Sequence, residues 1–186
     1  MKTISQTWAE YACNLTFEDL SPESIAAAKM FLFDSLGCAL GGSKTEDFQI
    51  LEATFREIGG RGECSVIGSN LKTDVRSASL INGLAIRALD YNDVYWKQDP
   101  SHPSDLLPAA FCVGEREKRS GKDLLVAIVL AYELEMRLME AAFPGIRELG
   151  LHHATLTAFA SPFVAGKMVN LHAEQMTNAA GISGSH

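Results

Sequence analysis

The chain has 186 residues, 47% of them hydrophobic and 21% charged, the composition of a globular domain large enough for one well-filled core. Its 23 acidic residues outnumber 16 basic ones, giving a formal net charge of -7, and no Lys/Arg block stands out, which argues against a nucleic-acid partner. The apolar run at Leu124 to Ala131 is too short to span a bilayer, and the opening MKTISQTWAEYACNL lacks the apolar stretch of a signal peptide, so no membrane partner and a cytoplasmic location are expected.

Helical periodicity dominates. Ile4, Trp8, Tyr11 and Leu15 recur at steps of three and four, marking a first amphipathic helix. Ser21-Pro22-Glu23 supplies an N-cap, a first-turn proline and an early acid. The helix it opens carries Ile25, Ala28, Leu32, Leu36 and Ala39 and stops at Gly41-Gly42. A third begins near Thr45, carries Phe48, Leu51, Phe55 and Ile58, and ends at Gly59-Gly60. Cys64 to Gly68 is the one convincing β-like piece.

Thr73 and Asp74 open a fourth helix bearing Leu80, Leu84 and Ala88, and Ser104-Asp105 caps a fifth. The sixth starts at Ser120 or Asp123 and is apolar on most sides through Leu130, as a central helix should be. It should need neighbours on every side, some of them beyond His186. A seventh covers about Thr155 to Asn170 with Pro162 inside, where a kink or break is expected. The last starts near His172 and Ala173 and runs through Met176 and Ala180. Cys13, Cys38, Cys64 and Cys112 are widely spaced with no C-x-x-C pair, which suits buried, reduced thiols. The expected fold is a single all-α domain over 1–186, and its small-residue ending, Gly181 to His186, reads as an incomplete C-terminus.

The richest stretch is LDYNDVYWKQDPSHPSD, Leu89 to Asp105. It sets Asp90, Asp93, Asp99, Tyr95, Trp96 and His102 between the end of one helix and the start of the next. Polar, titratable groups beside a buried helix end are costly unless paired, and such clusters point to proton chemistry. A solvated loop with two helix caps is the alternative.

The ordered set L-D-Y-N-D, then H-P-S-D with its His twelve positions after the first Asp, resembles the 2-methylcitrate dehydratase family (the MmgE/PrpD group). Asp34-Ser35-Leu36-Gly37-Cys38 is similar to the family's early D-x-L-G-C helix segment, and Gly150-Leu151-His152-His153 to its later G-L-x-H segment. The resemblance implies the first part of the family's large helical domain, with the later helical segment and a smaller α/β domain absent. It implies metal-free proton transfer beside a carboxylate, with no cofactor, on a small polycarboxylate: dehydration of 2-methylcitrate in propionate metabolism, decarboxylation of cis-aconitate, or epimerisation of iminodisuccinate. It also implies a homodimer or other homo-oligomer, or association with a complementary C-terminal segment. The isolated chain is expected to be inactive, since further active-site residues of the family lie in later segments.

Carried over by motif, the resemblance gives Asp93, His102 and His153 as catalytic residues and Asp90 and Ser104 as substrate-binding ones. The position after Asp93, often Thr in relatives, is Val94, which removes a hydroxyl available to a substrate carboxylate. The chemistry fits these residue types. Taking a proton from carbon beside a carboxylate needs a base, donors for the developing charge and, for dehydration, an acid. Asp90 or Asp93 beside a histidine would orient it and raise its pKa, and helix starts would offer free N–H groups to an anionic substrate. Each residue also has a structural alternative: His102 could initiate the Ser104 cap, His153 could be a satisfied helix-start residue, and Asp90 could pair with Arg87 or Lys97. Tyr95 and Trp96 could be pocket walls or core. A metal is not expected, because no H-x-x-E-H or H-E-x-x-H pattern occurs, and His152 and His153, being adjacent, would point apart on a helix. A non-catalytic helical interaction module, from a truncated or split gene, is the competing class.

Overall fold

A computed structural model describes residues 1–97 and 99–185. Among these residues the fold is all-α: α1 Ile4–Asn14, α2 Pro22–Gly42, α3 Glu46–Ile58, α4 Val75–Arg87, α5 Leu107–Arg116, α6 Gly121–Ala141, α7 Ala154–Met168 and α8 Ala173–Ser183. Two antiparallel hairpins interrupt it: β1 Cys64–Ser65 with β2 Lys72–Thr73, and β3 Tyr95–Trp96 with β4 Pro100–Ser101. The second hairpin lies inside the stretch read as loop.

Helix starts follow cap chemistry. Ser21, Thr45, Asp74 and Ser120 each accept a main-chain N–H from the first turn they precede. The expected Ser104-Asp105 cap does not form. A 3-10 turn at Pro103–Leu106 leads into α5 instead, and the polar groups of Ser104 and Asp105 are engaged elsewhere.

Small residues, more than the large apolar ones, set the buried faces. On α1, Ala9 and Ala12 are inside while Ile4 and Tyr11 face solvent; on α4, Ala78, Ile81, Ala85 and Ile86 are inside and Leu80 is exposed. Stripes drawn through the bulkiest side chains are therefore rotated from the true contact faces, because Ala lets helix axes approach closely. The tightest case is Gly42 at the end of α2, where a Cβ would collide with the Ala85 carbonyl of α4.

α6 is the central helix. Leu125 to Ile128, Leu130, Ala131, Leu134 and Met139 are buried, and α2, α5 and α7 pack around it. α7 runs through Pro162 without a break. Proline has no N–H for the carbonyl four residues earlier, and the Ser183 hydroxyl of α8 donates to that carbonyl, Ala158 O, at 2.7 Å.

The β1–β2 hairpin is pinned by buried Asn82 of α4, which accepts from Ile67 N–H at 2.8 Å and donates to Ser65 O at 3.0 Å. Cys38, Cys64 and Cys112 are buried thiols and Cys13 is half-buried. α2 is, among the described residues, the one helix long and apolar enough to cross a membrane by length and composition. Here Ala28, Ser35, Cys38, Ala39 and Gly42 line its buried face, while Met30, Phe33 and Leu40 lie exposed on the other.

Candidate active site

The 3-10 turn Pro103–Leu106 is the hub of the site, packed against α2, α4, α5, α6 and α7. His102 immediately precedes it. The β3–β4 pairing sets Tyr95 opposite Ser101, folding the chain back so that His102 Nδ1 lies 2.6 Å from the main-chain carbonyl of Asp93. A carbonyl only accepts, so Nδ1 carries a proton in this contact, and Nε2 is the nitrogen left for proton transfer. The ring is thus oriented by the Asp93 main chain, where a carboxylate was expected. The Asp93 side chain turns to the interior: Oδ1 accepts from Ser104 N–H at 3.3 Å, and Oδ2 is buried without a partner.

His153 stands at the start of α7, its ring 5.3 Å from that of His102 in an edge-to-face arrangement. His152 does not point away. Both residues lie in the turn before the helix, and their rings are 4.0 Å apart. Burial, then the neighbouring His152, His102, Arg87 and Arg147, push His153 down to about 4, so its imidazole is neutral near pH 7. The first N–H groups of α7 are already used: Ala154 donates to His152 Nδ1, Thr155 to His152 O and Leu156 to His153 O. The free N–H groups expected at this helix start are not on offer.

Asp99 holds this region together. Buried in the β3–β4 connection, it accepts from Arg147 N–H at 3.2 Å and pairs with the Arg147 guanidinium at 3.5 Å. That ties the segment leading to α7 to the strand leading to His102.

Of the two expected substrate-binding residues, Asp90 faces solvent and Ser104 is engaged inside the fold. Asp90 occupies the left-handed region (φ 49°) just past α4; its side chain is 79% exposed and pairs with Arg87 at 3.1 Å. Lys97, its other candidate partner, pairs with Glu140 at 3.6 Å. Ser104 is fully buried, and its Oγ accepts from Asn92 Nδ2 at 2.7 Å; Asn92 Oδ1 in turn accepts from Arg87 at 2.7 Å. Ser104 therefore closes an internal chain from Arg87 through Asn92. Tyr95 donates to Glu140 and packs its half-buried ring against the cluster of Met139, Ala142, Ile146 and Leu156, while Trp96 is exposed.

Three further polar residues of this region are not among the site residues expected from the sequence. Asp105 pairs with Arg87 at 3.6 Å, and burial raises its pKa more than Arg87 and His102 lower it. Tyr132 of α6 is pushed up by burial and by the Asp93 carboxylate beside it. Glu135 of α6 is fully buried and accepts from the Ser101 hydroxyl. An acid inside the apolar run VLAYELEM is the signal that could have found it. The D-x-L-G-C segment of α2 adjoins the same place, since Asp34 and Asp93, after burial itself, raise the Cys38 thiol.

Among the described residues, no group of three or more His, Cys, Asp or Glu side chains is placed to hold a metal ion. An open hollow of about 790 Å³ lies elsewhere, between the end of α3 and the start of α4, bordered by Gly59, Arg61, Arg76 and Arg116. No histidine borders it.

Comparison with known proteins settles the family. The chain is 29% identical over 187 residues to the cis-aconitate decarboxylase-like protein oryM of Aspergillus oryzae, covering 92% of this chain and 38% of that protein. It is 26% identical over 188 residues to the cis-aconitate decarboxylase of Aspergillus terreus (97% and 38%) and 28% identical over 185 residues to the 2-methylcitrate dehydratase of Escherichia coli (91% and 37%). The chain thus spans about two fifths of the length of these relatives. The family model of the MmgE/PrpD N-terminal domain matches residues 6–186, and the chain belongs to the MmgE/PrpD family.

Proposed function

We propose that this chain forms the histidine-bearing helical part of a lyase that moves a proton at a carbon beside a carboxylate, with dehydration of a 2-methylcitrate-like polycarboxylate as the reaction. The observation that carries the reading is the His102–His153 pair, two imidazoles 5.3 Å apart brought from separate motifs. His153 is neutral and able to accept a proton. A bound polycarboxylate adds negative charge beside it and favours the imidazolium, raising its basicity when substrate is present.

In the dehydration, one imidazole takes the proton as the C–H bond breaks. The electron pair forms the C=C bond while the C–O bond to the hydroxyl breaks, and the other histidine, entering protonated, gives its proton to the departing oxygen so that water leaves. The residues sit without metal ligation in this scheme. Turnover belongs to an active form supplying the rest of the relatives' length, in the cytoplasm and as a homo-oligomer or paired with a complementary segment; the 186 residues alone should turn over little.

Decarboxylation is the second reading. Val94, exposed and without a hydroxyl, follows Asp93, and two of the relatives above are named for cis-aconitate. Here the C–C bond to a carboxylate breaks, CO2 leaves, and an imidazolium protonates the carbanion. Assaying the active form with 2-methylcitrate and cis-aconitate, after exhaustive EDTA treatment, separates the readings. Loss of water from 2-methylcitrate at an undiminished rate supports the first and CO2 release from cis-aconitate the second. A rate lost to EDTA and restored by a metal contradicts both.

A further inference from the structure

Behind the histidine pair lies a set of enclosed oxygens short of hydrogen-bond partners: Asp93 Oδ2, Asp105 Oδ1, Glu135 Oε2 and the Tyr132 hydroxyl. Two of the carboxyls have a donor at hand. Tyr132 lies beside Asp93, and its hydroxyl can donate there; the Arg87 guanidinium faces Asp105 Oδ1 at 3.6 Å. Glu135 Oε2 is the member of the set left with no donor. A fully buried carboxylate oxygen without one would be costly, and a proton on it removes that cost.

Glu135 is the member best placed to carry it. It is fully buried on the central helix, and burial first, then the nearby Asp105 and Asp93, push it up to about 7 against the opposing Ser101 hydrogen bond. Its Oε1 accepts from the Ser101 hydroxyl, as the carbonyl oxygen of a protonated carboxyl can, leaving Oε2 to bear the proton. Ser101 adjoins His102 and is itself fully buried.

We propose that Glu135 is a positioning residue, a neutral carboxylic acid that anchors the Ser101–His102 strand to α6 through the Ser101 hydroxyl. The groups facing it are Ser101 from β4, Asp93 from the segment after α4, Asp105 from the 3-10 turn, and Tyr132 from its own helix. The inference rests on the proposed function only in the role given to His102. The protonation and the anchoring stand or fall without any assay of turnover.

The test is spectroscopic. In protein carrying 13C-labelled glutamate, the Glu135 side-chain carbon should report a carboxylic acid at mildly acidic pH, and the matching infrared C=O band should vanish in Glu135→Gln. Gln keeps an acceptor and adds a donor, so this variant should retain the His102 imidazole resonances of the wild type. Glu135→Ala and, as a control with almost no change in packing, Ser101→Ala should shift or broaden them. A Glu135 carbon that titrates like an exposed glutamate overturns the protonation. His102 resonances left in place by Ser101→Ala overturn the anchoring, even if Glu135→Ala fails to fold. Absence of activity in the active form would count against the proposed function and leave both spectroscopic results standing.

Discussion

His102 and His153 meet edge to face with ring centroids 5.3 Å apart, and they are held there by different means. His102 is fixed by the main-chain carbonyl of Asp93, while His153 is fixed by its place at the start of α7. Two imidazoles held by separately anchored elements can keep their spacing while a substrate lies against both.

The depressed pKa of His153 makes the fold sensitive to acid. Its folded value of about 4 lies below the ordinary 6.5, so the unfolded chain binds a proton that the folded chain refuses over that interval. Stability is present above about pH 6.5 and is lost as pH falls toward about 4. The ring is partly exposed, so the loss should be about 1 kcal/mol once solvent screening is allowed for. Glu135, pushed up to about 7 from 4.5, contributes the opposite slope, its stabilisation being lost as pH rises from about 4.5 to about 7. The comparison is therefore wild type against His153→Gln in urea melts, and the variant should lose the acid-side decline. An identical pH dependence in the two proteins would contradict the buried, neutral assignment.

Asn92 bridges Arg87 to Ser104 inside the fold. Asn92→Ala leaves a buried hydroxyl and a guanidinium without their partner and should cost about 2 kcal/mol, with Ser104→Ala costing about 1 kcal/mol. Because the two share one hydrogen bond, the double variant should cost less than the sum in chemical denaturation. Strict additivity would mean that the bond is not made in solution.

The Ser183 hydroxyl takes the place of the N–H that Pro162 cannot give to Ala158. Ser183→Ala should destabilise the fold by about 1 kcal/mol, and Pro162→Ala in that background should recover part of the loss by restoring the main-chain donor. No recovery on thermal melting would mean that the carbonyl is satisfied by other means.

Met30, Phe33 and Leu40 make an exposed apolar stripe along α2. A contiguous patch of this kind marks an interface or a liability, and the protein should show a concentration-dependent mass by light scattering that Phe33→Glu reduces. A monodisperse monomer at high concentration, unchanged by Phe33→Glu, would show that the stripe is inert.

The helices could be read from the chain because their starts depend on local chemistry. Ser21, Thr45, Asp74 and Ser120 act within one turn of where they stand, and Gly42 closes α2 as Gly59 caps α3. Faces were harder to place. Ala9 and Ala12 are buried in preference to Ile4 and Tyr11, since close helix packing rewards small residues at the contact, a tertiary effect. In the site, the motif residues His102 and His153 do come together, but the details turned on partners distant in sequence. Ser104 looked like a cap until Asn92 claimed its hydroxyl, and His102 was oriented by a main-chain carbonyl that no side-chain pattern can reveal. Glu135 was overlooked because Glu133 stands two residues before it, and the pattern alone does not say which of the two acids faces inward.

The most direct measurement is the turnover of His102→Ala and His153→Ala, each made in the active form and assayed with 2-methylcitrate and cis-aconitate alongside circular dichroism. Each substitution should lower kcat by on the order of a hundredfold or more, the usual scale for loss of a general acid or base, with helical content near that of the parent because neither side chain belongs to the apolar core. Near-full rates in both variants would contradict the account and reduce the pair to structural residues at two helix starts.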